Sequence, residues 1–304
     1  MPGQEADDVF RLLADETRLD VLRTVARQQR DRRQTGVAGL SFSELYDRVD
    51  VDDTSKLSYH LGELTGTFLR KREDGYVFTH AGERLVRFVL AENYRAPPDF
   101  GTIDTEGTCL FCGESALRAT YRDRYFTVVC GACDRPAFSY RVRPAQVRSR
   151  DPEDLIDAVV REQVGDLFKL RQGVCPECAG RLDTAVVDAE THPVPDEMPI
   201  DFATVSECTE CLQCLGLPLT HAAAYHPASV AFHWVHGVDV LSSGPWAFHR
   251  HVADGRWRAE RVDADEYRVE FRRDDASLRL FLDDAASVTR TERVRYSGGR
   301  DGQS

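Results

Sequence analysis

A chain of 304 residues, 42% of them hydrophobic, is long enough for two or three folded domains, and no apolar run approaches the length needed to cross a bilayer. No signal peptide opens it, so a cytoplasmic protein without a membrane partner is expected. Residues 1–96 hold 17 acidic and 15 basic side chains, net −2 of the chain's −12, which makes this the part that a polyanion would tolerate best.

Residues 1–14 begin polar and then place Val9, Phe10, Leu12 and Leu13 for an amphipathic first helix, suited to core and dimer contact. Leu19, Leu22, Val25 and Ala26 form the next helical stripe. A basic, glycine-containing connection follows, in which Arg30, Arg32 and Arg33 are either a solvated charge run or a reach toward phosphates. Leu40 and Phe42 read as a short strand ahead of the helix SELYDRV.

In DTSKLSYHLGEL the positions Leu57, Leu61 and Leu64 recur at helical spacing and face a small core, with Asp53 or Thr54 as N-cap. Ser55, Tyr59 and Gly62 point the other way, flanked by Lys56 and Ser58, as a polar face that a major groove accepts. His60 sits between the two faces, as a core-capping residue or a DNA contact. The pattern then changes to period two. Arg70, Lys71 and Arg72 lie on the first arm of a hairpin turned at Glu73-Asp74-Gly75, where cations suit phosphates or a minor groove.

The order helix, helix, helix, hairpin, with ADETRLDVL, SELYDRV and TSKLSYHLGEL, resembles the ArsR-type winged helix-turn-helix transcription regulators over about residues 6–92. The resemblance implies a homodimeric, sequence-specific binder of double-stranded DNA. It also implies that the following helix, with Leu85, Phe88, Val89 and Leu90, packs in the dimer interface. Metal-sensing members carry a cysteine pair on the helix that here reads SELYDRV, which has none, so sensing of the arsenic or cadmium type is not expected. Lys56, Lys71 and Lys169 are the only lysines and arginine supplies the other 36 basic residues, an acid-rich, lysine-poor composition that fits a salt-loaded, haloarchaeal cytoplasm. Molar salt shrinks the Debye length to about 3 Å, so close contacts would carry recognition and binding is expected to persist there.

Pro97-Pro98 break helicity and end the first domain, 1–96. All nine cysteines follow, between Cys109 and Cys214. Cys109, Cys112, Cys130 and Cys133 read as two CxxC knuckles 17 residues apart, the spacing of a zinc ribbon (107–150), with LRATYRDRYFTVV as the hairpin between them. Paired cysteines in a reducing cytosol favour metal over disulfides. DPEDLIDAVVREQVGDLFKL (within 151–172) reads as an amphipathic helix with Ile156, Val159, Val160, Val164 and Leu167 turned toward the ribbons. Cys175 and Cys178 open a second ribbon (173–220), completed by Cys208 and Cys211 or, alternatively, by Cys211 and Cys214. Two structural Zn2+ ions are thus expected.

Histidines 221, 226, 233, 236, 249 and 251 follow, and His233 with His236 either share a metal or pack beside Phe232 and Trp234. From Trp257 the chain alternates through four short strands, carrying Trp257 and Ala259, then Tyr267, Val269 and Phe271, then Leu278, Leu280 and Leu282, then Val288 onward. They define an α/β region (221–296) closed by an antiparallel sheet, ahead of a polar tail (297–304) expected to be disordered. The fold class is α+β. Fully thiolate-ligated zinc leaves no position for water, and no Ser/His/Asp grouping, phosphate loop or carboxylate pair stands out, so no enzyme is expected. The reading is a DNA-binding regulator. The alternative is a zinc-ribbon interaction module docked on transcription machinery, with the winged helix used for protein contacts. Operator, sign of regulation and effector are not legible.

Overall fold

In the computed structural model the described residues are 2–31, 39–96, 100–190 and 200–295. Arg32 and Arg33, the Pro97-Pro98 pair and the 297–304 tail lie outside them, as does the side chain of Arg30. The chain divides into two compact units, Met1–Ala96 and Pro97–Ser304, and its architecture is α+β with several small antiparallel sheets.

The first unit runs α1 (Pro2–Leu13), α2 (Glu16–Asp31), α3 (Phe42–Tyr46), α4 (Thr54–Leu64), β1 (Leu69–Arg72), β2 (Gly75–Phe78) and α5 (His80–Leu90). Its core collects Val21, Leu22 and Val25 of α2, Leu45 of α3 and Leu57, Leu61 and Leu64 of α4, all nearly inaccessible. The expected strand at Leu40 and Phe42 is reduced to one bridge, Leu40 to Tyr76. Ser41 explains this: its hydroxyl accepts the Glu44 amide (3.2 Å) while the Glu44 carboxylate accepts the Ser41 amide (2.9 Å), so a capping box starts α3 already at Phe42. The β1–β2 turn also shifts by one residue. Arg72 pairs with Gly75, leaving Glu73 and Asp74 as the turn, and Gly75 takes φ +120° where a β-carbon would sit 2.3 Å from the Leu40 carbonyl oxygen. On α5 the buried residues are Gly82 and Val86, whereas Phe88 and Leu90 are each 49% exposed.

The second unit begins with β3 (Phe100–Asp104), β4 (Leu117–Arg122), β5 (Tyr125–Cys130) and β6 (Pro136–Arg141), a four-stranded sheet in chain order. The sheet therefore starts before residue 107, and neither β3 nor β6 stood out in the sequence. Asp123 and Arg124, both at positive φ, make the tight turn between β4 and β5. After α6 (Pro144–Arg148) comes α7 (Pro152–Arg171), started by the Asp151 side chain on the Asp154 amide (3.0 Å) with proline in its first turn. A three-stranded sheet follows, β7 (Leu182–Asp188), β8 (Phe202–Cys208) and β9 (Cys214–Pro218).

Then come α8 (Leu219–Ala224), α9 (Pro227–Val235), a 3-10 turn (Pro245–Phe248), α10 (His249–Ala253) and the meander β10 (Trp257–Asp263), β11 (Glu266–Arg273), β12 (Ala276–Leu282) and β13 (Val288–Arg295). Trp257, Val269, Phe271, Leu278 and Leu280 fill one face of the meander and are almost fully buried. Its other face carries Glu270 between Arg272 (2.6 Å) and Arg279 (2.8 Å). Helix α7 ties this unit together. Leu155, Val159 and Val160 enter the core of the first sheet, Leu167 enters that of the meander, and Val164 packs against both.

Candidate functional site

The eight expected thiols form two quartets. Sγ atoms lie 3.7 Å apart between Cys109 and Cys133 and 3.6 Å between Cys112 and Cys130. In the second quartet Cys175 and Cys211 are 3.7 Å apart, and Cys178 and Cys208 3.5 Å. All ligand atoms of a quartet fall within 4.8 Å of one another. A disulfide needs about 2.05 Å, whereas tetrahedral ligands 2.3 Å from one ion stand about 3.8 Å apart. The spacing therefore fits a shared metal ion, and the thiols are free of disulfides. Cys208 and Cys211 complete the second quartet; Cys214 is exposed and lies outside it on β9.

One backbone hydrogen bond recurs in all four knuckles. The amide of the first cysteine donates to the carbonyl five residues on: Cys109 to Glu114, Cys130 to Arg135, Cys175 to Gly180 and Cys208 to Gln213, at 2.8–3.0 Å. Amides then point at sulfur, Phe111 to Cys109 and Ala132 to Cys130 at 3.4 Å, and Gly180 to Cys178 at 3.3 Å. The Glu210 amide does most to bring Cys208 down to about 7, against burial and with help from the Cys211 amide. Such donors favour the thiolate, the form that binds a metal. Three knuckles turn through a positive φ four residues after their first cysteine, at Gly113, Asp134 and Ala179. The pairings Leu117 with Cys130 and Leu182 with Cys208 put the second knuckle of each quartet at the end of a strand, so the two centres share one plan.

In the first unit Ser55, Lys56, Ser58, Tyr59 and Gly62 are exposed on α4, with Tyr59 at 59%. The Asp53 side chain caps the helix at the Lys56 amide (2.8 Å), and the Lys56 ammonium pairs with Asp52 (3.0 Å). Arg70, Lys71 and Arg72 are exposed on β1. Arg72 leans on Asp74 (3.6 Å) and Lys71 lies 5.9 Å from the Tyr76 ring, while Arg70 has no ionic partner among the described residues. The Gly39 amide, donating at 2.9 Å, holds the Asp74 carboxyl below the usual range and pins the hairpin tip.

His60 takes the core-capping one of its two readings. It is 6% exposed, on the Leu57–Leu61 side of the helix, with Nδ1 3.6 Å from the Asp15 carboxylate, so it packs and is not placed to touch a base. A residue passed over in the sequence, Arg18 of α2, lies 5.8 Å from the Tyr59 ring and pairs with Glu63 (3.2 Å), fixing the edge of this face. Only the spacing of α2 against α4 could have pointed to it.

Residues 106–288, more than half of the chain, match the family model described as "Domain of unknown function (DUF7351)". The chain belongs to the DUF7351 family. Residues 6–89 match a second model, "Domain of unknown function (DUF7347)". Neither a curated protein nor a solved structure matches the chain.

The DUF7351 region thus holds both thiol quartets, α7 and most of the meander. It also holds a histidine cluster around Trp257. His221, His233 and His251 have ring centroids 5.6, 5.2 and 5.7 Å from that indole, and His249 stands 5.8 Å from His221. His233 and His236 do not share a metal site among the described residues. Each Nδ1 donates to a carbonyl of its own helix, Ser229 at 2.8 Å and Phe232 at 2.7 Å. Burial holds His221 and His233 down at about 4 and His249 at about 3, so the cluster is neutral packing at neutral pH. No described helix is long and apolar enough to cross a membrane.

Proposed function

We propose that this chain is a cytoplasmic, sequence-specific DNA-binding transcription regulator, with a winged helix-turn-helix of the ArsR type in residues 1–96 and two structural zinc ribbons beyond it. One observation carries the reading. The apolar side of α4 is spent on the core, while Ser55, Lys56, Ser58 and Tyr59 are presented outward in the same unit as a hairpin arm bearing exposed Arg70, Lys71 and Arg72. A helix of this kind reads base edges in a major groove and a basic hairpin holds phosphates beside it. Lys56 is the weakest member, since it must leave Asp52 to reach a phosphate.

Zinc is the metal that thiolate quartets with tetrahedral spacing favour. Its role here is structural, because four thiolates leave no open coordination position, and its binding free energy becomes folding free energy for the two small sheets. Exposed Phe10 (72%), Phe88 (49%), Leu90 (49%) and Tyr94 (54%) on and beside α1 and α5 suit a homodimer contact.

Selection from a randomised pool of duplexes tests the proposal. A recurrent, twofold-related sequence among the retained molecules is expected from a dimeric reader. Retention without sequence preference, or none at all, would favour the protein-docking alternative.

A further inference from the structure

Between the two thiol-bearing sheets of the second unit lies a cavity of about 580 Å³. One wall is β6 and the other β8 and β9; α7 covers it, and α8 with the turn at Pro245 closes it. Both β6 and β9 are edge strands of their sheets. The space opens to solvent beside Glu207 and Cys214, and its volume falls in the range of about 300–1,000 Å³ usual for small-molecule sites. Register explains the space. Ala203 and Val205 of β8 stand opposite Pro218 and Gly216 of β9, so the middle of the row facing the cavity is short, with no side chain at Gly216, and the longer Glu207 stands at its end opposite Cys214.

The lining sorts possible occupants. Phe138, Leu167, Leu170, Val205 and Leu215 make it largely apolar. No lysine or arginine lines it, and its histidines, His221 and His249, are uncharged at neutral pH because burial lowers both. Its charged residues are carboxylates. Asp166 is satisfied by the Tyr140 hydroxyl (2.5 Å) and Lys169 (3.3 Å), whereas Glu207 is exposed and has no ionic partner among the described residues. An anion would meet no fixed positive charge here and would be repelled by the Asp166 and Glu207 carboxylates.

We infer that this cavity is a binding site for a largely apolar, uncharged or cationic small molecule bearing an N–H donor, with its body between β6 and β9 and its polar end toward Glu207. The site stands whether or not residues 1–96 bind DNA.

A matched pair of fluorescent probes tests it on the full, metal-loaded chain. N-phenyl-1-naphthylamine is neutral with one N–H; 8-anilinonaphthalene-1-sulfonate has the same rings and a sulfonate. The neutral probe is expected to bind saturably at one site and the sulfonate at least tenfold more weakly. Gly216→Phe, whose β-carbon would meet nothing nearer than the Thr204 carbonyl oxygen at 3.7 Å, is expected to weaken the neutral probe at least tenfold. Cys214, the one cysteine outside the quartets, reports without any substitution: bound probe should slow its alkylation by N-ethylmaleimide at least fivefold. Absence of saturable binding, equal affinity for the two probes, retained affinity in a folded Gly216→Phe chain, or undiminished Cys214 reactivity at saturation would each overturn the inference.

Discussion

Mild acid should unfold the second unit through its buried histidines. His221, His233 and His249 are 4%, 0% and 3% exposed, and burial lowers them from 6.5 to about 4, about 4 and about 3. In the unfolded chain each binds a proton below about pH 6.5, but in the fold only below its depressed value, so the unfolded state holds more protons in the window between. Stability is then unaffected above about pH 7 and falls by up to about 1.4 kcal/mol per pH unit for each histidine below 6.5. At pH 5.5 the three together remove about 4 kcal/mol, a large part of a domain stability of about 5–15 kcal/mol. Protonation of one does not help the next, since His221 and His249 lie 5.8 Å apart and like charges would repel.

The assay follows from the tryptophans. Trp234, Trp246 and Trp257 all lie in the second unit, so urea titrations read by their fluorescence at pH 7.5 and 5.5 report that unit alone. Thiolate protonation also destabilises in acid, and His249→Leu separates the two causes. Its Nδ1 has no partner to lose, and the variant should shed about 1.4 kcal/mol less than the parent between the two pH values. An identical loss in parent and variant would refute the reasoning and leave the thiols as the cause.

Cys211→Ser should lower metal content from two ions per chain to about one and unfold the second thiol-bearing sheet, whereas Cys214→Ser should retain both ions; metal analysis of the purified variants decides it. In the first unit, Gly82→Ala would place a β-carbon 2.0 Å from the Phe68 carbonyl oxygen, so α5 must shift; a loss of about 1–3 kcal/mol in chemical denaturation is expected, most of it in residues 1–96. Ala179 sits at φ +63°, and Ala179→Gly should raise stability by up to about 1 kcal/mol, read as a higher urea midpoint at fixed zinc.

How much was legible in the sequence depended on how local the signal was. CxxC spacing reported both quartets because each knuckle closes within six residues on its own backbone, as Cys109 to Glu114 does. The choice of Cys208 over Cys214 was legible only through the strand before it: β8 ends at Cys208, so Cys214 begins the next strand and cannot turn back to Cys175. The four strands of the meander followed from strict alternation ending in Trp257, Val269, Phe271 and Leu278. By contrast β3 carries little alternation and is a strand because β4 offers it an edge, while β6 alternates only over the four residues Phe138 to Arg141, a signal too short to be read before β5 is in place. His60 was undecidable from helical spacing alone, since its burial depends on Asp15 and α2. The cavity was invisible for the same reason, being made by two edge strands that meet only in the fold.

The central claim rests on α4 and its hairpin, and a fluorescence anisotropy titration of the selected duplex tests it most directly. With Arg70→Ala the account predicts weaker binding to every sequence and a salt slope reduced by about one; with Tyr59→Ala it predicts relaxed discrimination at one base position and an unchanged slope. Parent-like affinity, specificity and salt slope in both variants would contradict it.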